Sequence, residues 1–128
     1  MSFEEKDKAL QQEILALLLQ RQTININKET GVAHLTPEHE DQINPSVTIT
    51  SQEIKERTGR DKIRTVVIDE YQEALTMPGV VVERKDNDLK VIVLPPRKSS
   101  NDYKSLSELE KKNKAEIAQD PDLAEPYF

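Results

Sequence analysis

The sequence predicts an α+β fold, and three observations carry the prediction. Apolar residues recur at helical spacing near the start, short β-branched stretches lie further along, and capping signatures mark where helices open. The 128 residues are 35% hydrophobic and 33% charged, with a mean hydropathy of −0.71. That balance is polar for a compact protein, so part of the chain is expected to stay outside the core.

The first element is an amphipathic helix over residues 3–21. Ser2 and Glu5 form a capping box, Glu4 and Glu5 suit the positive end of the helix dipole, and Leu10, Ile14, Leu17 and Leu18 recur on one face. Leu15 and Leu19 widen that face, so it needs cover from more than one side. Leu15, Leu18 and Leu19 are therefore candidates for a homodimer interface as well as for the core. Thr23-Ile24-Asn25-Ile26-Asn27 alternates and is β-branched, which reads as a short strand. Lys28–Gly31 has turn chemistry, 32–35 is a candidate return strand, and 37–45 is an acidic loop, so 22–45 is expected to form an insertion.

Ser46–Thr50 reads as a strand. Thr50 and Glu53 form a second capping box that opens a short helix, stopped at Gly59. A third helix is expected from about Asp61 to Leu75, with Ile63, Val67, Tyr71 and Ala74 on one face, Val66 on one flank and Ile68 and Leu75 on the other. Two β-rich runs, Val80–Glu83 and Leu89–Leu94, flank the polar Arg84–Asp88 and form the clearest hairpin in the chain. Residues 97–128 are polar. A solvated or weakly docked helix over Ser105–Gln119 should stop at Asp120-Pro121, with 122–128 extended or disordered. The expected organisation is one domain over 1–96 and a polar C-terminal tail over 97–128.

The order from the first helix through Ile49–Ile54, the Thr58-Gly59-Arg60 turn, the helix ending at Leu75 and the Val80–Leu94 hairpin resembles a winged helix-turn-helix domain. The likeness covers roughly residues 3–95 and is one of architecture. It implies that the third helix enters the major groove of DNA while the hairpin, as the wing, touches backbone or minor groove. The sequence departs from that pattern in the 22–45 insertion and in the later turns of the third helix, where Asp69 and Glu73 would repel phosphate.

Net charge is −6, unevenly spread. Residues 1–45 hold four Lys/Arg against eight Asp/Glu, residues 46–98 hold ten against nine, and residues 99–128 hold four against seven. The least acidic region is thus the one that carries the resemblance. The candidate DNA-contacting residues are Arg60, Lys62, Arg64 and Thr65 around the third helix, Arg84 and Lys85 on the hairpin, and Ser51 and Gln52 as phosphate donors at the second helix. The cations also have a plain reading as solvated charges, with Arg84 and Lys85 guarding a strand edge and Arg64 packing through its stem or pairing with Glu70 instead of facing outward.

Several function classes are disfavoured. The chain has no cysteine, which excludes a disulfide framework, a thiolate zinc site and a cysteine nucleophile. Gly31, Gly59 and Gly79 are too far apart for a phosphate loop. His34 and His39, beside Glu38, Glu40 and Asp41, lack the convergent geometry of a metal site. No cofactor, metal or catalytic site is expected. The longest apolar run, Ile14–Leu19, is far short of the roughly 20 residues that span a bilayer, and the acidic start does not suit a signal peptide, so a cytoplasmic protein with no membrane partner is expected. The leading expectation is a dimeric binder of double-stranded DNA, a regulator of transcription or an accessory factor. The alternative is an adaptor that binds protein through its acidic surface or through a tail ending Pro126-Tyr127-Phe128.

Overall fold

The computed structural model describes residues 2–28, 44–94 and 102–124 and shows an α+β fold. In chain order the elements are α1 (Phe3–Lys28), β1 (Ser46–Ile49), α2 (Ser51–Thr58), α3 (Thr65–Leu75), β2 (Val80–Lys85), β3 (Asp88–Val93), β4 (Asp102–Tyr103), α4 (Leu106–Gln119) and a 3-10 turn (Pro121–Ala124). The strands form one sheet in the order β2-β3-β1-β4. The β2/β3 and β1/β3 pairs are antiparallel and the short β1/β4 pair is parallel.

The sheet turns one face to the helices. Val47 and Ile49 of β1, Val80 of β2, and Leu89, Val91 and Val93 of β3 join Leu10, Ile14 and Leu18 of α1 in a single core. Ile54 of α2, Val67, Ile68, Tyr71 and Leu75 of α3, and Leu106 and Leu109 of α4 complete it. Both expected capping hydroxyls act as such: Ser2 Oγ accepts from the Glu5 amide at 3.2 Å and Thr50 Oγ1 from the Glu53 amide at 3.1 Å. Gly59 ends α2 in the left-handed conformation at φ +75°. The hairpin turns on two residues, and Asp86 takes the left-handed backbone at φ +56°. The strands run further than the hydrophobic runs suggest, because Arg84 and Lys85 pair in the ladder with Leu89 and Asp88.

Four expectations are corrected. The strand at Thr23–Asn27 is instead the last part of α1, which is 26 residues long. Leu10, Ile14, Leu18, Arg21 and Ile24 fall on one buried stripe at helical spacing, and burial of that stripe outweighs the β-preference of the Ile-Asn-Ile alternation. The rest of the 22–45 insertion lies mostly outside the described residues. Helix α3 starts at Thr65 and not at Asp61, because Arg64 keeps an extended backbone at φ −86°, ψ 155°. Its buried face is Val67, Ile68, Tyr71 and Leu75, which leaves Val66 and Ala74 exposed.

The fourth correction concerns the C-terminal part. Residues 102–124 are not a polar tail but pack against the first 94. Tyr103, Leu106, Leu109 and Asn113 are buried, and α4 lies along α1. Polar contacts fix α4 and the 3-10 turn after it on α1. Asn113 Nδ2 donates to the Leu17 carbonyl at 3.1 Å, Arg21 pairs with Glu116, and Asn27 Nδ2 donates to the Leu123 carbonyl at 2.7 Å. The sparse leucines of α4 suffice because they stand three residues apart on the inner face, and polar groups match α1 elsewhere.

Candidate nucleic-acid interface

The residues around the α2–α3 turn divide into two groups. Arg57 and Arg60 turn inward. Arg57 donates to Ser107 Oγ at 3.2 Å and lies 3.6 Å from both Glu13 and Glu110, so it ties α2 to α1 and α4. Arg60 donates to Asp7 Oδ2 at 2.6 Å and sits over the Phe3 ring, 4.8 Å from its centroid. Asp7 is itself buried and also accepts the Tyr71 hydroxyl at 2.8 Å. This triad locks the first turns of α1 to the α2–α3 turn and to α3. The hydrogen bond to Asp7 raises the Arg60 pKa, and burial, with Asp7 alongside, pushes the Tyr71 hydroxyl well above its ordinary value. Arg60 is therefore a structural cation and not an outward one.

Lys62, Arg64 and Thr65 form the second group. All three are exposed at the start of α3, and Lys62 and Arg64 make no ion pair among the described residues. Arg64 occupies the N-cap position without a side-chain hydrogen bond to the helix. The backbone carbonyl of Arg64 accepts from Val67 at 3.0 Å, but nothing caps the leading amides.

The hairpin lies beside this end of α3. Arg84, next to last in β2, pairs with Asp69 in the second turn of α3, and its Nε donates to the Asp86 carbonyl at 3.0 Å. Arg84 is thereby neutralised, and Asp69 with it. Strand alternation puts Arg84 on the helix-facing side, with Val80 and Val82, and Lys85 on the opposite side, with Val81 and Glu83. The two cations, adjacent in sequence, thus point apart. Lys85 is exposed near a hollow of about 390 Å³ on the outer sheet face, lined by Thr48, Glu83, Asp88 and Lys90 among others. Lys90 is the cation that the sequence reading missed. Its signal is the single polar position between Leu89 and Val91, which alternation turns outward.

Ser51 and Gln52 are committed elsewhere. The Ser51 amide donates to Asp88 Oδ1 at 3.3 Å, and Gln52 Nε2 donates to Glu56 Oε1 at 2.9 Å. Of the eight candidate DNA-contacting residues, the fold leaves Lys62, Arg64, Thr65 and Lys85 outward and unengaged. The later exposed positions of α3 are Asp69, Glu70, Glu73 and Ala74, three of them acidic. Of the candidate dimer residues, Leu18 is buried in the core at 1% exposure, Leu15 is half-buried, and Leu19 is 56% exposed. Leu18 therefore belongs to the monomer, and an interface there is left with Leu15 and Leu19. His34, His39 and Pro126–Phe128 lie outside the described residues. No described helix is long and apolar enough to cross a membrane.

Compared with protein-family models, curated proteins and solved structures, the chain gives no significant match to any.

Proposed function

We propose that this chain is a small DNA-binding regulator or accessory factor of winged helix-turn-helix type, which holds duplex phosphate with the start of α3 and the tip of the hairpin. The order α1-β1-α2-α3-β2-β3 supports the winged-helix reading, with β4 and α4 added behind it. The observation that carries the functional reading is the start of α3. It is an uncapped helix N-terminus with exposed Lys62 and Arg64 and with the hairpin pinned alongside by Arg84 and Asp69. Amides and cations gathered at a helix start are what a phosphate group binds.

The test is fluorescence anisotropy with a random duplex. If Lys62, Arg64 and Lys85 each neutralise one phosphate, affinity should fall about 40-fold between ~50 and ~200 mM salt. Replacing Lys62 and Arg64 together by Glu should abolish binding with an unchanged circular dichroism spectrum. Undiminished affinity in that double variant would exclude this surface.

The exposed carboxylates of Glu70 and Glu73 favour a second reading, a protein-interaction module that works through the acidic part of α3. The same assay separates the two. Glu70 and Glu73 changed to Lys strengthens duplex binding under the first reading, whereas under the second neither protein binds duplex at low salt.

A further inference from the structure

Further along α1 than the Asp7 triad, a hollow of about 290 Å³ opens between α1 and the turn that joins α3 to β2. Leu18, Val80 and Val93 form its floor, and Leu15, Leu19, Met77, Pro78 and Leu94 form its walls. No charged residue lines it, and Gln22 is its one polar side chain, in a chain that is 33% charged. Five large apolar side chains are exposed among the described residues, and three of them stand on this patch: Leu19 at 56%, Met77 at 48% and Leu94 at 37%. We propose that this face binds a second copy of the chain, with each copy seating its projecting apolar side chains in the hollow of the other.

Two observations select that occupant. The patch carries both a recess and the knobs to fill one, and a two-fold contact, in which the same surface meets itself, requires both. The second is charge. Each copy carries −6, and the described exposed charges of α1 lie in its first half, at Glu4, Glu5, Lys8 and Glu13. Beyond Glu13 the outward positions Ala16 and Leu19, with half-buried Thr23, follow Gln12 at four, three and four residues without a charge. This neutral stripe extends the patch along about 16 Å of helix. Two acidic copies meet there without stacking like charges, whereas a basic partner would find no carboxylate on the rim. The inference does not depend on DNA binding.

Sedimentation equilibrium of the full chain tests it. The expected result is a reversible dimer of twice 14.6 kDa. Leu19→Glu and Met77→Glu should each raise its dissociation constant at least about tenfold, and together they should leave a monomer. Both positions are exposed, so an unchanged circular dichroism spectrum is expected and certifies the fold, while the thermal midpoint falls only as far as lost association requires. Val66→Glu, at an exposed apolar residue away from the patch, should leave the dimer intact. A wild-type monomer at every concentration, a dimer indifferent to the two patch variants, or equal weakening by Val66→Glu would each overturn the proposal.

Discussion

Helices α4 and α3 begin in opposite ways. At α4, Ser105 Oγ accepts from the Glu108 amide at 3.1 Å. The buried carboxylate of Glu53, reaching across from α2, accepts from the Leu106 amide at 2.7 Å and the Ser107 amide at 3.0 Å. At α3 the N-cap residue is Arg64, which caps nothing and is itself, with Lys62, an exposed cation where α4 has an acid. A helix start buried in the fold has its amides satisfied from within, as unpaired buried donors are costly. A helix start at the surface is free to leave its amides to water or to an arriving anion. The difference separates a joint that holds the molecule together from a surface that the fold does not use.

The largest expected effect breaks the joint. Glu53→Ala leaves the amides of Leu106 and Ser107 without their acceptor under the core and should lower stability by about 3 kcal/mol in a urea titration. Glu53→Gln keeps one acceptor oxygen and should fall between wild type and Ala. Equal stability of Glu53→Ala and wild type would mean that α4 does not depend on α2 for its start.

A smaller effect, and one that depends on pH, comes from the other buried carboxylate, Asp7. The Tyr71 hydroxyl that donates to Asp7 has a raised pKa, chiefly because burial disfavours the phenolate and then because Asp7 stands beside it. The folded state therefore keeps this proton at a pH where the unfolded chain has released it. Its stabilising contribution is complete below the ordinary tyrosine value of about 10 and declines as pH rises beyond it, by roughly 1.4 kcal/mol per pH unit. Wild type should lose stability between about pH 9 and pH 11. Tyr71→Phe, less stable at pH 7, should lose less over the same interval. Parallel pH profiles for the two proteins would show that Tyr71 does not carry this dependence. Tyr103, also raised by burial, supplies a residual slope in both.

What could be read from the sequence follows the distance over which each feature is determined. Ser2, Thr50 and Gly59 act within a turn of their own position, so their caps are legible in four or five residues. The hairpin is legible for the same reason. Glu53 is also part of a local signature, Thr50 to Glu53, and that pattern conceals its partner: the carboxylate reaches residues more than fifty positions away instead of its own helix start. Arg60 likewise counts as one of five clustered cations in sequence, but Asp7, also more than fifty positions distant, removes it from the surface. The end of α1 is ambiguous in the sequence because Ile24 obeys two periods at once, alternating with Ile26 and continuing the stripe of Leu18 and Arg21. Only contact with the rest of the core decides between them. The part of the candidate interface that survives, Lys62, Arg64 and Thr65, is the part with no long-range partner to hide it.

The smallest effect tests whether the open start of α3 has a use. Arg64 already has the extended backbone of an N-cap residue, so Arg64→Ser can place its hydroxyl on the α3 amides without moving the chain. The change should raise stability by about 0.5–1 kcal/mol, and Thr50→Ala at the capped start of α2 should lower it by about 1 kcal/mol. If α3 begins uncapped because phosphate takes the place of a cap, the stabilised Arg64→Ser protein should bind duplex more weakly than wild type. Its salt dependence should also be shallower by about one phosphate contact. Arg64→Ala removes the same charge without supplying a cap, so a larger loss of affinity in Arg64→Ser than in Arg64→Ala is the mark of an element held open for a ligand. A variant that gains stability and loses no affinity would instead make the missing cap an unused position.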